Sequence, residues 1–254
     1  VVDSIRSVQR ALGIVRLLAE VRKPLGVAEV SQATGLPPAT THRLLVTLVE
    51  DGWVQQDPQS TQYELGIDIL GPAAVALAYS PFIQAAKVTL ADVSEVSGLN
   101  SFLGVRVGHR VAYLATARGA EGHDVKFRVG VVEQAHAIAD GKVLLADLNT
   151  KELHELYAGR TELRAFTPNT ITTMDRLEGE LEEVRAKGYA VDREERAENY
   201  YYVAVPVRGP SGRVAAAMVA GGHASVTREK LDWLPHEMRL AAEQLAVRLG
   251  YIEE

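Results

Sequence analysis

Two short stretches of helical periodicity meet at Gly35-Leu36-Pro37-Pro38, and that junction constrains the chain more than any other segment. Before it, Val27, Val30 and Ala33 fall on one helical face; after it, Leu44, Leu45, Leu48 and Val49 do the same. Glycine ends a helix easily because it enters the left-handed region without a Cβ clash. Pro38 suits a first helical turn, where its missing N–H costs nothing. The chain must therefore turn sharply between two helices, the second stopping at Gly52. Upstream, Ile5, Val8, Ala11, Leu12, Val15, Leu18 and Ala19 are spaced by three and four, which predicts an amphipathic helix over 4–20, broken at Pro24. Downstream, Trp53–Gln56 and Thr61–Leu65 flank Asp57-Pro58-Gln59-Ser60 and predict a β-hairpin. Helix, helix, tight turn, helix and hairpin is the plan of a winged helix-turn-helix.

Such a motif presents the start of its second helix to the major groove. Here that start is Ala39-Thr40-Thr41-His42-Arg43, and hydroxyls and Arg suit phosphate and base-edge contacts. The candidate DNA-contacting set is Arg10, Ser31, Pro38, Ala39, Thr40, Thr41, His42 and Arg43, with Ser60 and Thr61 at the hairpin tip. The competing reading is a helical bundle that binds no DNA. Residues 1–65 carry six basic and seven acidic side chains, a poor balance for a DNA reader. Arg6, Arg10 and Arg43 can nevertheless share one face.

The rest of the 254 residues reads as a second domain. Ile67–Ala78 is strongly apolar and predicts a linker helix, interrupted early by Gly71-Pro72. It packs either on a partner subunit or on its own chain; periodicity does not separate the two. A helix is expected over 81–96, then strands over 101–105 and 110–115 around Gly108-His109, and a short strand over 126–129. Helices follow over 140–148 (opened by Asp140 as a cap), 151–157 and 173–187. Strands follow over 189–192, 200–208 and 213–220, and a closing helix over 227–249 that Pro235 kinks or starts. The fold class expected is α+β, with domains at 1–65 and 81–254 joined by a linker over 66–80. No window reaches the roughly 18 apolar residues of a membrane span. The start lacks a secretory pattern, and cysteine is absent. These features point to a soluble cytoplasmic protein with no membrane partner.

At this point the chain resembles the IclR family of bacterial transcription regulators. The likeness rests on "SIRSVQRALGIVRLLAE", "VAEVSQATGLPPATTHRLLVTLVEDGWV" and "YELG", then on "GLNSFLGV", "AHAIADGKVLLADL", "FTPNTIT", "ELEEVRAKGYAVDREE" and "VAVPVRGPSGRVAAAMVAGG". It spans nearly the whole chain, in order. The resemblance implies a winged helix, a linker helix and a GAF/profilin-like effector domain. It also implies a dimer or tetramer on a palindromic operator, acting as a repressor under a small metabolite. Ala39 departs from the Ser that relatives often carry.

The effector site implied by the resemblance lies near Ala139, Asp192, Tyr202, Met218 and Ala220. Relatives often carry Cys at the Tyr202 position and Ser at the Met218 and Ala220 positions, so this chain offers fewer hydroxyls and one aromatic ring. An organic acid or an aromatic metabolite is the expected effector, with Asp192 accepting from a ligand donor. The alternative is that Asp192 caps a turn and Tyr202 fills the cleft. No catalytic site is expected: G-x-S-x-G, G-x-x-x-x-G-K-[ST] and G-x-G-x-x-G are all missing. His136 and Asp140, four apart, and the nearby His123-Asp124 are competent metal ligands, but no H-E-x-x-H spacing is present, and no metal or cofactor is expected. The alternative function is a ligand-binding or enzymatic module behind a non-DNA-binding bundle.

Overall fold

A computed structural model describes residues 4–21, 23–122, 129–159 and 162–251. The chain divides into two compact units, Val1–Ala78 and Tyr79–Glu254.

In the first unit, helices α1 (Arg6–Val21), α2 (Val27–Thr34) and α3 (Pro38–Glu50) precede strands β1 (Val54–Gln56) and β2 (Tyr63–Leu65). Ile14, Val15, Leu18, Leu25, Val30, Leu45, Leu48, Val54 and Tyr63 form its core. Each such side chain contributes about 1.5–3 kcal/mol by leaving water. Gly35, at φ 68°, ends α2 as its sequence position predicts, and Pro38 opens α3. The Ser31 hydroxyl donates to the Leu36 carbonyl at 2.6 Å and closes the tight turn. Leu25 does more than follow a helix break. It exchanges two backbone hydrogen bonds with Tyr63, at 2.9 and 2.8 Å, and ties the wing to the helices.

The apolar linker forms a 3-10 turn over Ile67–Ile69 and then α4 (Leu70–Tyr79). Gly71 and Pro72 sit inside the first turn of α4 rather than interrupting it, because a first-turn N–H has no intrahelical partner to lose. No residue of α4 is buried; Ile67 is 71 % exposed, Val75 59 % and Tyr79 79 %.

The second unit opens with α5 (Pro81–Ser97), capped by the Ser80 hydroxyl. Strands β3 (Asn100–Val107), β4 (Arg110–Ala117) and β5 (Val132–Gln134) follow, then a 3-10 turn at Ala135–Ala137. Helices α6 (Ala139–Ala146), α7 (Thr150–Leu156) and α8 (Met174–Lys187) come next, then β6 (Ala190–Arg193), β7 (Tyr200–Arg208) and β8 (Val214–His223). The short α9 (Ala224–Thr227) and α10 (Leu234–Arg248) close the chain, with Pro235 starting α10 rather than kinking it. The sheet is antiparallel throughout, in the order β5-β4-β3-β8-β7-β6. One face packs on α5 and α10, the other on α6 and α8. The strand expected over 126–129 falls mostly on residues outside the described set. Mixed α+β is the observed class. Among the described residues no single helix is long and apolar enough to cross a membrane.

Candidate nucleic-acid interface and ligand site

Helix α3 has two chemically distinct sides. Thr41, Leu45 and Leu48 are buried, while Pro38, Ala39, His42, Arg43, Val46 and Thr47 are exposed. Thr40 is half-buried. A shallow groove of about 530 Å³ beside this helix is lined by Ser7, Thr40, His42, Arg43, Leu44, Val46 and Thr47. Arg43 forms no ion pair among the described residues, so its five N–H donors are available to an anionic partner. Arg10 is exposed on α1.

Two expected contacts need correction. Thr41 lies four residues before Leu45 on the core stripe, is fully buried, and donates its hydroxyl to the Pro37 carbonyl at 3.2 Å. It holds the helix and does not face DNA. Ser31 spends its hydroxyl proton on Leu36, so it fixes the turn rather than offering a donor. At the wing tip, Ser60 and Thr61 are exposed. The Ser60 hydroxyl donates to Asp57 at 2.8 Å, and Asp57 also accepts the Gln59 N–H. These bonds, the Gln59 N–H first, hold the Asp57 carboxyl below its ordinary value. Thr61 sits at φ 57°, a strained setting for a β-branched residue.

The second unit buries Asp140, Lys142 and Asp192 on the sheet face under α6 and α8. Directly paired residues share a face, so Asp192 (β6) and Tyr202 (β7) point the same way, and Tyr202 lies opposite Gly221 of β8. A Cβ on Gly221 would stand 2.6 Å from the Tyr202 ring, so a glycine is what lets that ring lie against β8. Tyr200 stacks on Tyr202 at 6.5 Å, and Tyr201 turns away to meet Arg228 at 4.6 Å. Ala139 is buried on this same side, in the core that holds Tyr202.

Met218 and Ala220 are not part of that face. Ala220 pairs with Ser101 and Val203, and Met218 with Leu103 and Val205. Ser101 donates to the Leu90 carbonyl of α5 at 2.8 Å, which fixes that set on the opposite side of the sheet. The β8 residues beneath α6 are Ala217, Val219 and Gly221 instead. The strand period of two makes a one-residue offset a change of face.

Asp192 is buried, and its Oδ1 accepts the Glu195 N–H at 2.7 Å, so it does cap the turn that follows β6. Burial first, and the nearby Glu195 second, raise its pKa to about 8. Lys142, wholly buried in α6, anchors the same turn. Its three ammonium protons go to Glu195 at 2.6 Å, Glu180 at 2.8 Å and the Val191 carbonyl at 2.9 Å. No local sequence signal marks this role of Lys142. Asp140 was expected as a cap. It lies in the first turn of α6, buried, with the Tyr113 hydroxyl on its carboxyl and Oδ2 unpartnered. Burial raises it to about 7. Gly104 makes room for it, since a Cβ there would meet Oδ2 at 2.7 Å. His123 and Asp124 lie outside the described residues. Among the described residues no three His, Asp or Glu side chains are grouped to hold a metal.

A winged helix-turn-helix with an uncommitted Arg on its reading helix, joined to a separate sheet domain, defines a DNA-binding regulator with an appended sensor. The model of the IclR helix-turn-helix domain matches residues 7–58, and that of the bacterial transcriptional regulator IclR C-terminal domain matches residues 74–247. The transcriptional regulator XynR of Escherichia coli K12 is 33 % identical over 248 residues, covering 97 % of this chain and 98 % of its own. The glycerol operon regulatory protein of Streptomyces coelicolor is 32 % identical over 215 residues, 83 % and 84 % of the two chains. The crystal structure of Thermotoga maritima IclR superposes with a TM-score of 0.65 at 26 % identity, over 98 % of this chain and all of that one. The Agobacterium tumefaciens repressor BlcR gives 0.62 at 27 %, over 99 % and 100 %. This chain belongs to the IclR family of bacterial transcriptional regulators.

Proposed function

We propose that the chain represses transcription from a palindromic operator as a dimer or dimer of dimers, and that a small organic molecule on the sheet face under α6 controls it. The observation that carries the DNA half is the exposed side of α3, where Arg43 has no internal ion pair. Arg10, Pro38, Ala39, Thr40, His42, Ser60 and Thr61 complete the proposed interface. A helix-turn-helix reading two half-sites needs two copies, and the exposed apolar α4 supplies a surface for the second copy to cover. The effector reading places Ala139, Asp140, Asp192, Tyr202, Val219 and Gly221 around the ligand. Asp140 and Asp192 are raised to about 7 and about 8, so near neutral pH they can donate as well as accept hydrogen bonds, and with the Tyr202 ring they suit an aromatic ligand carrying polar groups. Tyr202 covers β8 in this structure, so a ligand displaces its ring and shifts the dimer toward the arrangement it binds better.

The test is a gel shift with the full chain and the DNA upstream of its own coding region. Retardation that weakens steeply with salt is expected. Equal retardation by Arg43→Ala and Thr40→Ala overturns the assignment of the reading helix.

A further inference from the structure

The second unit holds a cleft whose lining includes neither Asp192 nor Tyr202. Its volume is about 620 Å³, and its walls include His109, Gln134, His136, Arg164, Thr172 and Thr173. We propose that this cleft is a second ligand site, for a hydroxylated organic anion: a carboxylate or phosphate monoester with a neighbouring hydroxyl.

The anionic end has two sources of attraction. Thr173 stands at the N-cap of α8, and no side chain caps that helix. The first-turn N–H groups of a 14-residue helix therefore lack a side-chain acceptor beside the cleft, with the positive end of the helix dipole behind them. Arg164 is exposed at the wall and forms no ion pair among the described residues; its guanidinium only stacks on Phe166, at 4.9 Å. Two carboxylates stand nearby, Glu162 on the cleft wall and Asp175 in the first turn of α8, and both are exposed and screened by solvent.

The hydroxyl is read by His136, which is an observation independent of the helix end. His136 is buried, and its Nε2 lies 2.9 Å from the Arg164 carbonyl. A carbonyl only accepts, so Nε2 carries the proton and Nδ1 is a bare acceptor. Nδ1 has no partner and is almost wholly enclosed, so a ligand reaches it when the His136 ring, which lines the cleft, turns toward it. A buried acceptor left unmade costs about 1–3 kcal/mol. A ligand O–H donating to it removes that cost, whereas an unhydroxylated anion does not.

The cleft is also wired to the turn after β6. Phe166 lies against His136 and is covered by Arg196, whose guanidinium grips Glu133 at 2.8 and 3.1 Å. The Thr167 and Thr170 hydroxyls donate to the carbonyls of Glu194 and Glu195 at 2.6 Å each. Occupancy of the cleft thus bears on the segment that holds Asp192.

Titration calorimetry of the full chain with gluconate, hexanoate and glycerol tests the proposal. Gluconate carries both groups, and the other two carry one each. Gluconate is expected to bind at least tenfold more tightly than either. Arg164→Gln should weaken gluconate about tenfold and remove its advantage over glycerol. His136→Asn should remove its advantage over hexanoate. The proposal is overturned by equal binding of gluconate and hexanoate, by gluconate binding indifferent to Arg164→Gln, or by no saturable gluconate binding up to 10 mM, a range far above a working regulator's needs. Gluconate binding lost in Tyr202→Ala but kept in Arg164→Gln moves the ligand to the Asp192–Tyr202 face and also overturns it. Arg164 is exposed, so its variant folds even if His136→Asn does not.

Discussion

The two units place their chemistry at opposite extremes of exposure. The reading helix of the first unit presents Arg43, His42 and Ala39 to solvent on a scaffold whose apolar core faces away from them. The second unit keeps Lys142, Asp140 and Asp192 buried within a helix–sheet layer. Exposed charge costs little and acts on large charged partners. Buried charge is costly, so it is either matched by partners, as at Lys142, or neutralised by a raised pKa, as at Asp140 and Asp192, and it acts on what enters the protein. A change in the first unit should therefore alter affinity with little loss of stability, and a change in the second should do the reverse.

The largest effect should come from Lys142. Lys142→Met leaves Glu195 and the Val191 carbonyl without their cation, and breaking a buried pair from one side costs about 3–5 kcal/mol. Denaturant unfolding of the full chain measures it. A loss under about 1 kcal/mol would show the network to be solvated in practice and would blur the contrast between the units.

Asp140 gives the next effect, through pH. Its folded value of about 7 lies above the ordinary 3.8, so the folded state holds the proton more tightly. Stability should fall as pH rises from about 4, where the unfolded carboxyl ionises, and level off once pH passes about 7. At about 1.4 kcal/mol per unit the loss is on the order of 4 kcal/mol. Asp140→Asn should flatten this slope and be the more stable protein at pH 8. A slope that persists unchanged in the variant assigns it to other carboxyls, Asp192 first.

In the first unit, Arg43→Ala should weaken operator binding by roughly 1–3 kcal/mol while leaving the melting temperature within a degree or two. Thr41→Val should invert that pattern: operator affinity kept, stability lowered by about 1 kcal/mol through the lost bond to Pro37. Fluorescence anisotropy and thermal melting on the same samples separate them. Loss of affinity in Thr41→Val at unchanged stability would mean that the buried side of α3 is misassigned.

Legibility follows the same division. The three helices, the turn and the wing were readable because helical period and Gly/Pro signals are local. Even Thr41 was readable, since Thr41, Leu45 and Leu48 share one stripe at spacings of four and three. Sheet faces were not. Whether Met218 or Val219 lies under α6 depends on pairing with Leu103 or Phe102, more than a hundred residues earlier. Alternation within β8, a run of small apolar residues, contains nothing to break the tie. Asp140 was hidden for a related reason: an acid at a helix start is ordinarily a cap or a dipole partner. Only the close approach of β3 at Gly104 shows it to be enclosed.

The smallest effect tests whether the exposed site also carries strain. Among the described residues three non-glycine residues have positive φ: Thr61 at the wing tip, and Glu194 and Asn199 between β6 and β7. Each therefore lies beside one of the proposed sites, and such strain persists where the surroundings enforce it. At Thr61 the enforcement is the Asp57 turn, whose carbonyl accepts the Thr61 N–H at 2.8 Å. Left-handed backbone costs an L-residue about 1–2 kcal/mol, and glycine is free of this but loses more entropy on folding. Thr61→Gly should then stabilise the wing by less than about 1 kcal/mol. If Thr61 touches the operator, the same change weakens binding by a few fold, because the hydroxyl and methyl are gone while the loop path is kept. A gain in stability with unchanged affinity would remove Thr61 from the interface. It would leave the strain there as a property of the turn alone, and the wing would then anchor to DNA through exposed backbone and the neighbouring side chains.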